Sequence, residues 1–211
     1  MIRYIKIYNI ILIINGELNM SKKFLFVIDM QNDFIDGSLG SDDAKKIVPN
    51  VVKLIQNWEN DKDHTIWYTY DTHSDSDNSI YPKYEYTLEG KMLPIKHCII
   101  KTPGYQINEY IMDEIEKRHS IYDRAFHKFT FGSLDMVIEA STYLWENIKS
   151  DDEIHVCGLC TDICVISNVL LLRAKFPNLH IYVHENCCAG TSKEAHDASI
   201  KVMKSCQIEV I

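Results

Sequence analysis

The chain has 211 residues, 46% hydrophobic and 25% charged, with only 8 Gly and 5 Pro. That composition excludes a fibrous repeat or a disordered polypeptide and suits one packed α/β domain, burying roughly 70% of the surface its unfolded chain would expose. The formal net charge is −8, and no Lys/Arg run is dense enough to neutralise several neighbouring phosphates, so the expected partner is a small molecule and not nucleic acid.

Residues 1–20 carry an apolar run, Ile10-Ile11-Leu12-Ile13-Ile14, behind Arg3 and Lys6. The run is too short to span a bilayer and no small-residue cleavage site follows it, while Met20-Ser21-Lys22-Lys23 has the look of a second start. A weakly ordered extension or an added strand is expected over 1–20, rather than a targeting segment or a membrane anchor, ahead of a single domain over 21–211.

From Phe24 onward short apolar runs alternate with longer amphipathic ones, the pattern of βα units. Phe24–Asp29 reads as the first strand, followed by a helix over Pro49–Asn60 with Pro49 at its favoured first position. Thr65–Tyr70 is the second strand, Ile107–Lys117 a helix, Ile121–Phe126 the third strand and Leu134–Asn147 a helix. Glu153–Gly158 is the fourth strand, Asp162–Lys175 a helix, His180–His184 the fifth strand, Lys193–Ser205 a helix and Ile208–Ile211 the last strand. Strands this short and this apolar are covered on both faces. The expected fold is a three-layer αβα sandwich with a mainly parallel, doubly wound sheet of about six strands.

The stretch from Asp71 to Gln106 breaks the rhythm, being rich in His, Asp, Tyr, Pro and Gly, and long irregular segments inside compact domains are usually functional. In open parallel sheets the ligand crevice lies beyond the carboxyl ends of the strands. Asp29, Asp71, Lys128 and the run Cys157-Gly158-Leu159-Cys160 all fall at such ends.

The run from Val156 to Val165 passes from a strand through a tight turn into a helix and places Cys164 in that helix's first turn. There the helix dipole and free N–H groups favour a thiolate, and the backbone amides of Cys160 and Cys164 are candidates for an oxyanion hole. Asp29, where an apolar strand meets the crevice, is the candidate base, its pKa raised by partial burial. Lys128 supplies the charge that would keep carboxylate and thiolate ionised. Singly each residue has a plain structural reading, as a helix cap, a solvated lysine or a core cysteine.

The seven cysteines, at 98, 157, 160, 164, 187, 188 and 206, are odd in number and several lie within apolar runs, which points to reduced thiols and a cytoplasmic setting. Two close pairs, Cys157 with Cys160 and Cys187 with Cys188, leave open a redox dithiol or a thiol zinc site, although the second pair falls in an expected turn. A catalytically silent binding module is disfavoured by the complete Asp29, Lys128 and Cys164 set.

Over nearly all of Lys23–Ile211 the chain resembles the isochorismatase-like cysteine hydrolases, and within them the nicotinamidase branch. The resemblance is carried by D-M-Q-N-D-F at 29–34, D-T-H at 71–73, L-P-I-K-H-C at 93–98, K-F-T-F-G-S at 128–133, G-L-C-T-D-I-C-V at 158–165 and N-C-C-A-G-T at 186–191. It implies deamidation of nicotinamide to nicotinate and ammonia, in NAD salvage, through a cysteine thioacyl intermediate. Asp29 would be base and acid, Lys128 the electrostatic partner and Cys164 the nucleophile, with a cis peptide at Leu159–Cys160. It also implies one divalent metal, zinc before iron or manganese, on Asp71, His73 and His97, with Glu89 preferred to Glu85 as the fourth ligand. Phe34, Leu93 and Tyr105 would line the substrate, Leu93 standing where nicotinamidases commonly have an aromatic. Relatives commonly self-associate, so a homo-oligomer is expected. A metal-independent member of the family acting on another small amide is the alternative.

Overall fold

The computed structural model describes residues 21–145 and 149–211. The expected extension over 1–20 and positions 146–147 of the helix expected to reach Asn147 lie outside the described residues.

Six parallel strands form the sheet: β1 (Lys23–Ile28), β2 (His64–Asp71), β3 (Arg124–Lys128), β4 (Glu153–Leu159), β5 (His180–Ala189) and β6 (Glu209–Val210), in the order β3-β2-β1-β4-β5-β6. β1 shows why: after Lys23 every residue is buried, as a strand covered on both faces requires. The helices are α1 (Asn32–Ile35), α2 (Asp42–Gln56), α3 (Leu88–Met92), α4 (Glu109–Lys117), α5 (Leu134–Trp145), α6 (Ile166–Lys175) and α7 (Lys193–Ser205). α2 packs on β5 and pairs with α4, while α5, α6 and α7 contact one another in succession. Right-handed crossovers put these two sets on opposite faces, giving the expected three-layer sandwich.

Three expectations are corrected. α2 begins at Asp42 behind the Ser41 cap and carries Pro49 in its interior. Ala44, Ile47, Val51 and Ile55 form one buried stripe, whereas Pro49 lies on the exposed face, where water satisfies the carbonyl its missing N–H leaves unpaired. β3 runs over Arg124–Lys128 instead of Ile121–Phe126, since Ile121 is 85% exposed and Lys128 pairs in register with Asp71. β5 continues to Ala189, so Cys187 and Cys188 are buried strand residues and not part of a turn. The smaller shifts are at element ends: α4 starts at Glu109 behind Asn108, and a wide turn over Thr161–Val165 precedes α6.

The strand order reverses between β1 and β4, the position at which doubly wound sheets open a crevice. There the two strands are so close that a Cβ on Gly158, whose φ is 126°, would stand 2.0 Å from the Ile28 carbonyl oxygen. Only glycine fits that approach.

Candidate active site

Asp29 follows β1 directly and adopts the left-handed conformation, φ 46°, which turns its side chain into the crevice. Its N–H donates to Thr69 Oγ1 at 3.0 Å, and that hydroxyl donates back to Asp29 Oδ1 at 2.5 Å. The other oxygen, Oδ2, lies 2.6 Å from Lys128 Nζ. Lys128 Nζ also reaches Cys164 Sγ at 3.5 Å and Asp71 Oδ1 at 3.3 Å. The three residues expected to form the catalytic group therefore meet around one ammonium, with Asp29 0% and Lys128 3% exposed.

Burial, here complete, raises the Asp29 carboxyl despite the opposing pull of Lys128, and the nearby Asp71 raises it further. Burial alone would discharge Lys128, but Asp29, Cys164 and Asp71 outweigh it and hold the ammonium well above the ordinary lysine range. The thiol of Cys164 behaves differently from the sequence-based expectation. Burial pushes it well above the usual range, and the pull of Lys128 does not cancel this. The thiol thus stands beside a carboxyl of raised basicity, an arrangement able to pass a proton from sulfur to Asp29.

The backbone beneath Cys164 is set by the wide turn, closed by N–H groups of Ile163 and Val165 donating to the Cys160 carbonyl at 3.0 and 3.1 Å. The Leu159–Cys160 peptide is cis. Asn168, fully buried, donates to the carbonyls of Cys164 and Phe131 at 2.8 and 3.2 Å and accepts from Ser133 N at 2.8 Å. It ties the turn that carries Cys164 to the loop following Lys128.

Beside this group, one ligand atom from each of Asp71, His73, Glu89 and His97 lies within 4.8 Å of the others, so all four expected metal ligands are brought together. Asp71 Oδ2 is 2.9 Å from His73 Nε2 and 3.4 Å from His97 Nε2, which is also 3.4 Å from Glu89 Oε1. His97 Nδ1–H donates to the Ile95 carbonyl at 2.8 Å, leaving the Nε2 lone pair for the cluster. His73 Nε2 is buried and lacks a hydrogen bond of acceptable geometry, as a nitrogen aimed at a shared cation would. A carboxylate pair with two imidazoles has the donor chemistry of a divalent ion such as zinc. Glu85, the reserve ligand, instead pairs with Lys83 at 2.8 Å.

Gln31, fully buried, holds the Asp71 backbone from both sides, accepting its N–H at 2.7 Å and donating to its carbonyl at 2.9 Å. Tyr84 packs edge-on to both imidazoles and donates to the Leu93 carbonyl at 2.7 Å. Gln31, Thr69, Tyr84 and Asn168 escaped the sequence reading. Only Gln31 stood within a quoted motif.

A cavity of about 530 Å³ opens above the two groups, and Phe34 and Leu93 line it as expected. Tyr105 does not. It stacks on Tyr70 and hydrogen-bonds His127 at 2.6 Å, away from the cavity lining. The thiol pairs do not form a centre either: all seven cysteines are free. Cys157 is fully buried, Cys160 faces the cavity, and no cysteine joins a converging ligand group among the described residues.

The isochorismatase domain model matches residues 23–211. The chain belongs to the isochorismatase family. Among this family's members it is similar to the nicotinamidase of Saccharomyces cerevisiae, with 30% identity over 175 residues, 68% of this chain and 77% of that protein. The crystal structure of a nicotinamidase/pyrazinamidase from Bacillus subtilis superposes with a TM-score of 0.73 at 26% identity, covering 90% of this chain and 98% of that one. A Pyrococcus horikoshii pyrazinamidase solved in complex with zinc shares the fold, with a TM-score of 0.66 at 21% identity over 90% of this chain and 98% of that one. The chain is accordingly an isochorismatase-family hydrolase, and Asp29, Lys128 and Cys164 meet where the doubly wound sheet opens. No helix among the described residues is long and apolar enough to cross a membrane.

Proposed function

We propose that this hydrolase deamidates nicotinamide to nicotinate and ammonia, a step of NAD salvage in the cytoplasm. The observation that carries the reading is the single ammonium of Lys128, 2.6 Å from Asp29 and 3.5 Å from Cys164, set against a four-residue metal-ligand cluster through Asp71. The nicotinamidase relatives support the same substrate.

Asp29 takes the thiol proton as Cys164 Sγ attacks the amide carbon, and Lys128 stabilises the charge on both. The backbone amides of Cys160 and Cys164 hold the oxyanion of the tetrahedral intermediate, each such donor being worth about 3–4 kcal/mol in other enzymes. Asp29 then gives its proton to the departing nitrogen, ammonia leaves, and the acyl group remains as a thioester. Water, deprotonated by Asp29, attacks that thioester and releases the carboxylic acid with the thiol restored. Asp71, His73, Glu89 and His97 would hold a divalent ion, zinc first, which would supply a Lewis-acidic partner for the pyridine nitrogen. The cluster favours this branch of the family over its metal-independent members.

Ammonia release from nicotinamide, pyrazinamide and non-aromatic amides is the test. Turnover of the two ring amides well above the others is expected, and preference for a non-aromatic amide would move the substrate to the alternative branch.

A further inference from the structure

The two ends of the site differ in the room they leave around a bound amide. On the side of the departing nitrogen stands Asp29, fully buried, with Oδ1 engaged by Thr69 and Oδ2 by Lys128. The nitrogen must come within hydrogen-bond reach of that carboxyl to be protonated. Neither Asp29 nor Lys128 borders the cavity, so the space beside the nitrogen is closed. On the acyl side the cavity is about 530 Å³, within the range of roughly 300–1,000 Å³ that houses drug-sized ligands, and a single-ring acyl group fills a fraction of it. Phe34, against His97 with ring centroids 5.5 Å apart, walls the inner part. The outer part is bordered by Leu88, Met92, Phe129 and Phe131, which remain 77%, 79%, 50% and 47% exposed. Large apolar side chains left in water around a cavity mouth mark a surface awaiting an apolar ligand.

We propose that this site is built for a primary amide whose acyl ring carries an apolar extension, lying across Leu88, Met92, Phe129 and Phe131. The proposal rests on the amidase reading above. It fixes which side of the amide bond can grow: the acyl side into the cavity, the nitrogen not at all.

The test measures kcat/KM of the purified enzyme for nicotinamide, for 5-methyl to 5-butyl nicotinamide, and for N-methylnicotinamide. Each methylene transferred onto the rim should raise kcat/KM about fourfold, the factor for burying one CH2 group, and N-methylation should lower it at least tenfold. Leu88→Asp and Met92→Asp, both at exposed positions that tolerate charge, should flatten the alkyl series. Nicotinamide turnover with every alkyl amide slower overturns the extension and leaves the amidase reading intact. Turnover of the alkyl amides without nicotinamide supports the extension and overturns nicotinamide as substrate. Hydrolysis of no amide at all overturns both.

Discussion

Asp71 and Lys128 pair in register at the ends of β2 and β3, with Asp71 Oδ1 3.3 Å from Lys128 Nζ and Asp71 Oδ2 2.9 Å from His73 Nε2. One carboxylate thus joins the Asp29, Lys128 and Cys164 group to the cluster of His73, Glu89 and His97. Burial pushes its carboxyl up, but Lys128 and the two histidines outweigh burial and hold it well below the usual carboxylate range.

The first prediction follows from that pairing. Lys128→Met leaves Asp29 and Asp71 buried without a cation between them, and breaking a buried ion pair from one side costs roughly 3–5 kcal/mol. Urea denaturation should show a loss of that order together with loss of amidase activity. A variant as stable as the parent would mean that Lys128 does not neutralise both carboxylates.

Cys164→Ala should abolish turnover with the fold intact, because it removes the nucleophile from a turn held by main-chain bonds and Asn168. Cys157→Ala, in the middle of a fully buried strand segment, should cost about 1 kcal/mol of stability and keep measurable activity. Exchange of these outcomes in an ammonia assay paired with circular dichroism would reassign the nucleophile. Asp29→Asn should lower kcat by about 10²–10⁴-fold, the usual contribution of a proton-transferring group.

Metal analysis of purified protein should give about one divalent ion per chain. His97→Ala should lose both the ion and the activity on nicotinamide, and Glu89→Gln should weaken retention more than Glu85→Gln, since only Glu89 faces the histidines. A metal-free parent hydrolysing ring amides at full rate in chelator would remove the site from the function.

Away from the site, His155 Nδ1 and His184 Nε2 lie 2.9 Å apart on β4 and β5, near Trp58, Tyr182 and Glu153, which Lys23 also pairs. Burial, with His155 adding to it, lowers His184 to about 4, and burial also lowers His155 against the pull of Glu153. A histidine lowered on folding is held neutral, so its stabilisation is present above the unfolded value near 6.5 and is lost as pH falls from there towards 4. Melting temperature should therefore fall across that window in the parent, and less steeply in His184→Asn. Identical slopes would clear the histidine pair of any part in acid sensitivity.

The alternation of apolar strands and amphipathic helices was legible because strand burial on both faces writes itself as short continuous apolar runs, β1 being the clearest. Asp29, Asp71 and Lys128 were legible because they fall at strand ends, where an open parallel sheet has its crevice, and Cys164 because it starts the helix after the fourth strand; the resemblance joined them into one set and brought in His73, His97 and Glu89. Gln31, Thr69, Tyr84 and Asn168 were not, since a neutral polar residue takes its role from whichever backbone group or ring the fold sets beside it, and those partners are 4 to 74 residues away in sequence. Pro49 misled because propensity favours a helix start, while the buried stripe of α2 decides where the helix runs. The thiol of Cys164 was expected to be lowered by its place near a helix start, yet it is raised, because a local dipole is visible in sequence whereas burial beside Lys128 comes only when the ends of β1 and β3 and the turn after β4 meet.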